Sequence, residues 1–169
     1  METINIYPPP VTLDGMKREA ISKIDKITSS RILGGFDYQP PVSSLPVDTF
    51  EEGYVPTFHF NTDSMDQANF ADASTLYLAN AMMQNTTYQQ KWQGWLNGAQ
   101  YTLTFDLITY RQFGERYAAH KNDHLANGWI WKNAIRNATS QEEMIAIFQT
   151  FDITQEELDL IHCTLITHI

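Results

Sequence analysis

Asn97-Gly98, with the uninterrupted stretch behind it, constrains this chain more than any other feature. Both residues tolerate the positive φ that a type I′ turn requires, so the flanking segments are expected to pair as a hairpin. Folding about that turn sets Leu96 against Ala99, Gly94 against Tyr101 and Trp92 against Leu103. All three pairs share one face because side chains alternate along a strand. The other face takes Trp95 against Gln100 and Gln93 against Thr102. After Leu103 the period lengthens. Leu107, Tyr110, Phe113, Tyr117, His124, Gly128, Trp131 and Ile135 recur at steps of three and four, with a polar gap at His120 and Lys121. That spacing predicts one long helix, capped by Thr104 or Asp106. Thirty-odd residues at ~1.5 Å each span about 45–50 Å, longer than a small domain and suited to packing partly against another chain.

Upstream, Ile4-Asn5-Ile6-Tyr7 alternates like a strand before Pro8-Pro9-Pro10. Residues 1–12 therefore read as an extended arm, either disordered or docked on a neighbouring subunit. Asp14 is expected to cap a helix from Gly15 to Leu33, with Ala20, Ile21, Ile24, Ile27 and Arg31 inward and Lys17, Glu19, Lys23 and Lys26 outward. Gly34-Gly35 ends it. Phe36-Asp37-Tyr38 and Thr57-Phe58-His59-Phe60 are expected to pair antiparallel, with His59 on the exposed face. The proline-rich insert at 39–56 lies between them. Its Val42, Leu45, Val47, Phe50, Tyr54 and Val55 predict adhesion to a partner subunit or to its own domain.

A second helix is expected from the Asn61–Ser64 turn to about Met83, packing through Met65, Ala68, Ala71 or Asp72, Leu76, Ala79 and Met83, with Met82-Met83 as core filler. After the long helix, Thr139…Glu142 and Thr154…Glu157 read as capping boxes for two short helices. The first should bury Ile145 and Phe148. The second forms an amphipathic C-terminal segment at 151–169, with Leu158, Ile161, Leu165 and Ile169 on one side.

Composition narrows the function classes. A net charge of −9 with eleven thinly spread basic residues argues against nucleic acid as a partner. No apolar run approaches the ~20 residues of a membrane span, and the start resembles no signal peptide, so synthesis and folding in a cytoplasm are expected without membrane insertion. The single Cys163 reads as a small hydrophobe. His120 and His124 share a helix face beside Asp123 and could hold a metal, the basis of an alternative as a metal-dependent hydrolase. Lys121 stands where a metalloprotease helix places its glutamate, and no nucleophile accompanies a base, so neither catalysis nor a cofactor is expected.

Several short pieces together resemble a known family. They are Lys17-Arg18-Glu19-Ala20-Ile21, Gly34-Gly35-Phe36-Asp37-Tyr38, Phe58-His59-Phe60-Asn61-Thr62-Asp63, Gln67-Ala68-Asn69, Trp92, Tyr101-Thr102-Leu103-Thr104, Ala118-Ala119-His120 and Ala134-Ile135-Arg136-Asn137-Ala138-Thr139. In this order they resemble the phage-associated DUF4376 domain. The insert at 39–56 and the final residues depart from its pattern. The resemblance implies a setting among bacteriophage tail and tail-fibre genes and brings no catalytic residues with it.

The expected architecture is α+β, with small antiparallel hairpins on several helices, one of them long. A domain at 13–150 lies between the arm and the C-terminal helix. Aromatics beyond the needs of one small core, Trp95, Trp129, Trp131, Tyr88 and Tyr110, favour protein contacts. The expected function is a tail, baseplate or fibre component of the virion. It would contact other tail or fibre subunits as a homo-oligomer or part of a symmetric assembly. A fibre-assembly chaperone absent from the virion is the alternative. Ile4, Ile6, Tyr7, Phe50, Tyr54, Trp95, Trp129, Trp131, Leu158, Ile161 and Leu165 are the candidate partner-binding residues.

Overall fold

A computed structural model describes residues 12–160. The class is α+β, with five helices and a four-stranded antiparallel sheet among the described residues. The chain forms two compact units, one of residues 29–125 and one of residues up to 28 with those from 126 onward.

The sheet belongs to the 29–125 unit and runs β1-β2-β3-β4, with β1 at Phe36–Tyr38, β2 at Phe58–Phe60, β3 at Gln90–Leu96 and β4 at Ala99–Phe105. The hairpin has the expected register, and it extends from Leu96↔Ala99 to Gln90↔Phe105. Asn97 and Gly98 take φ of 50° and 79°, as a primed turn demands. β1 and β2 pair from Phe36↔Phe60 to Tyr38↔Phe58. His59 stays half-exposed with Nδ1 3.0 Å from an Asp37 carboxylate oxygen. β2 meets β3 at His59↔Trp95.

Helix α3, Leu107–Asn137, begins at Asp106, whose carboxylate accepts from the Ile108 and Thr109 amides. Those bonds, the Thr109 amide foremost, hold the Asp106 carboxyl below its ordinary range. Its Tyr110, Phe113 and Tyr117 enter an aromatic core with Phe36, Phe58, Phe60, Trp92 and Phe105. The Phe105 and Phe113 rings stack at 4.9 Å. Tyr110 and Tyr88 are therefore core residues and not the surplus surface aromatics that the sequence suggested.

Helix α2, Ser64–Met82, is capped by Asp63, which accepts from the Met65 and Asp66 amides. It turns inward a face rotated by roughly a third of a turn from the one expected. Phe70, Ala73 and Tyr77 pack on the core, and the Phe70 ring stacks on Tyr117 at 3.9 Å. Met65, Leu76, Met82 and Met83 are exposed, so Met82-Met83 is not core filler. The flat rings of Phe70 and Tyr77 bury more area against α3 than the methionines could, and that decides the rotation.

The insert is packed over its own unit. Pro40, Ser44 and Pro56 are buried, Leu45 and Phe50 join the aromatic core, and the Gln39 side chain donates to the Val55 carbonyl at 2.7 Å. Only Val42, Val47 and Tyr54 among its larger apolar side chains stay exposed.

The second unit contains most of α1 (Leu13–Leu33), the later turns of α3, α4 (Gln141–Gln149) and α5 (Gln155–Leu160). Thr12, not Asp14, caps α1, its hydroxyl accepting from the Gly15 amide at 3.1 Å. Ala20, Ile24 and Ile27 are buried as expected. Lys23 is buried too, against expectation, and pairs with Glu19 at 3.0 Å. Met16, Ala20, Ile24, Ile135, Met144 and Phe148 make this unit's core. The first capping box sits one residue later than expected. Ser140 accepts from the Glu143 amide, and Glu143 returns to Thr139. The second, Thr154 with Glu157, forms as expected.

Candidate functional site

The candidate surfaces divide into those that the fold consumes and those that it leaves open. Phe50 lies 5.9 Å ring to ring from Phe58 and 5.4 Å from Tyr101. Trp131 stacks on Phe151 at 5.0 Å, and Leu158 packs on the second core. These three were expected to bind partners, yet each is half-buried within its own unit, where an apolar neighbour already covers it. Tyr54, Trp95 and Trp129 remain exposed. Ile4, Ile6, Tyr7, Ile161 and Leu165 lie outside the described residues.

The histidine pair is built into the first unit. His120 is buried rather than forming a polar gap, and its Nε2 donates to the Ile32 carbonyl oxygen at 3.1 Å. The Thr62 hydroxyl donates to the same carbonyl and accepts from the Gly35 amide at 3.1 Å. His120 and Thr62 thus satisfy a carbonyl that the end of α1 leaves without a helical partner. His124 stands edge-on to His120 with ring centroids 4.7 Å apart. Among the described residues no three His, Cys, Asp or Glu side chains come together as a metal would require.

What the fold leaves open is a groove of about 440 Å³ between α2 and β3. Asp66, Asn69, Asp72 and Leu76 form the helical wall, and Lys91, Gln93 and Trp95 line the strand side. Asn61, just past β2, also lines it. Burial raises the Asp66 carboxyl above its ordinary range, with the nearby Asp63 charge adding to the effect. Neither Asp66 nor Asp72 has an ion-pair partner among the described residues. The sequence reading singled out Trp95 but missed the groove, because α2 supplies its wall only in the rotation that the aromatic core imposes.

A second open surface is the outward side of α2. Met65 is 72% exposed, Leu76 57% and Met82 86%, with Leu78 and Met83 beside them. Ala68 and Ala79 are exposed on the same helix. Among the described residues no helix is long and apolar enough to cross a membrane.

No curated protein and no solved structure matches the chain. A family model described as Domain of unknown function (DUF4376) matches residues 16–155, most of the chain and both of its units. The chain belongs to that family.

Proposed function

We propose that this protein is a structural component of a bacteriophage tail, baseplate or tail-fibre region, held in the virion by protein–protein contacts and not acting as an enzyme. The outward apolar face of α2 carries the contact role. Four large apolar side chains, Met65, Leu76, Leu78 and Met82, are exposed on one nineteen-residue helix, and Met83 is exposed at its C-cap. So many exposed large apolar side chains on one short stretch mark an interaction site, since solvent exposure of single scattered residues is ordinary. Methionine suits such a face because its unbranched chain adapts to a neighbour's contour. Exposed Tyr54, Trp95 and Trp129 supply further aromatic contact area. The tail setting follows from the family resemblance of the sequence.

Mass spectrometry of purified virions tests this reading. A structural subunit is present at a fixed ratio to the other tail proteins, whereas its absence from virions whose assembly needs the gene would favour the chaperone alternative. Stoichiometric metal in the purified protein, lost on replacing His120 and His124 together, would instead favour the hydrolase.

A further inference from the structure

The β3–β4 ladder determines where the backbone of β3 points. A two-residue turn makes its flanking pair, Leu96↔Ala99, exchange both hydrogen bonds, and such pairs then alternate along the hairpin. Gln90, Trp92, Gly94 and Leu96 therefore direct their amides and carbonyls at β4. Lys91, Gln93 and Trp95 direct theirs the other way. Trp95 meets His59 of β2, but β2 ends at Phe60. The next residue, Asn61, leads away into the Asp63 cap of α2. Gln93 and Lys91 consequently face a lane that no described strand fills. Among the described residues one of their four outward groups is served, the Lys91 carbonyl, which accepts from the Gln90 side chain at 3.0 Å. This lane opens into the groove of about 440 Å³.

A strand edge with spare donors and acceptors at every second residue is a template for an added strand, and the wall of α2 confines what can enter. The lining specifies the side chains. On the inner side of the sheet, Trp92, Ala73 and Leu76 offer apolar contact. Asp66 and Asp72 offer carboxylates without cationic partners, against the single Lys91. The chain's own segments outside the described residues do not match this chemistry. Residues 1–11 contain Glu2 and no Lys or Arg, and residues 161–169 contain neither basic residue.

We propose that the open half of β3 receives an extended segment of a partner protein as an added strand, pairing with Lys91 and Gln93 and carrying apolar and basic side chains at alternate positions. The groove shares Leu76 and Trp95 with the contact surfaces of the tail assignment. The pairing lane, however, is the backbone of Lys91 and Gln93, so protection of those two amides tests this proposal separately from the tail assignment.

The test uses the full chain and a blocked Lys-Val-Lys-Val-Lys-Val peptide. Binding should shift the NMR signals of the Lys91 and Gln93 amides and slow their hydrogen exchange. Asp72→Asn should weaken it by roughly fivefold or less, as loss of one exposed charge pair does. The same peptide N-methylated at alternate residues should lose binding, because it cannot donate to β3. Equal binding by the N-methylated peptide, or by Glu-Val-Glu-Val-Glu-Val, would overturn the proposal. So would Lys91 and Gln93 amides already protected in the free chain and exposed by deleting residues 1–10, since the chain's own segment would then occupy the lane.

Discussion

Gly94 and Gly98 stand four residues apart in the same hairpin and are required for different reasons. At Gly98 the constraint is local: φ is 79°, and a side chain would meet nothing within 4 Å. At Gly94 the constraint is space, because a Cβ would lie 2.8 Å from Leu103 Cδ1 and 3.1 Å from Phe58 Cβ. Gly98→Val should thus cost on the order of 1–3 kcal/mol through backbone strain, while Gly98→Asn should cost much less because asparagine tolerates positive φ. Gly94→Asn should be the more damaging asparagine variant, since it forces a polar group among fully buried Leu103, Phe58 and Phe60. Denaturant unfolding of the variants checks the ordering. The Gly98 requirement was legible in the sequence as Asn-Gly. The Gly94 requirement was not, because Phe58 arrives from a strand more than thirty positions away.

Two tyrosines make a second prediction at this scale. Burial raises Tyr110 and Tyr117 to about 12 from an ordinary value of 10.0. Folded-state values above the unfolded ones mean stability that is fully present below pH 10 and lost as pH rises toward 12. Spectrophotometric titration should show these two phenols ionising late, together with alkaline unfolding. Replacing both by phenylalanine should lessen that loss, and ionisation of all tyrosines near pH 10 with the fold intact would contradict it.

At the scale of elements, α2 shows how a helical pattern can be read on the wrong side. Its sequence carries two apolar stripes whose centres lie about 100° apart around the helix, Leu76 of one being next in sequence to Tyr77 of the other. The stripe through Met65, Leu76 and Met83 is the longer, and it faces outward. The stripe through Phe70, Ala73 and Tyr77 is buried, because α3 presents Tyr110 and Tyr117 to receive flat rings. Helix limits, hairpin register and the pairing of β1 with β2 were legible, since each follows from local turn chemistry or strict alternation. The rotation of α2 depends on its partner helix, and so does the groove that it walls. Replacing Leu76 and Met83 by glutamate should accordingly leave the thermal midpoint nearly unchanged, as surface substitutions usually do within ~0.5 kcal/mol. The same change should abolish association through that face, read by sedimentation of the protein alone or with its tail neighbours. A large fall in midpoint would place these side chains in the core.

For the whole molecule, the part beyond residue 150 changes meaning once the structure is seen. Read as sequence, Leu158 with Ile161 and Leu165 formed a stripe that either its own domain or a neighbouring subunit could cover, and only in the second case would its removal spare the fold. Ile153 and Leu158 instead pack against the core formed by Met16, Ala20, Ile24, Ile135, Met144 and Phe148. Phe151, stacked on Trp131, belongs to the same packing. Deleting residues 153–169 removes Ile153 and Leu158 together with the Thr154–Glu157 cap. Half-burial of two aliphatic side chains is worth on the order of 2 kcal/mol. The truncated chain should therefore unfold at a lower temperature, by several degrees for a domain of this size. Amide exchange should quicken in α4, where Met144 and Phe148 lose a covering layer. Circular dichroism melting and exchange mass spectrometry measure the two effects. An unchanged midpoint with unchanged α4 protection would mean that this segment contributes nothing to its own unit and is free for a partner.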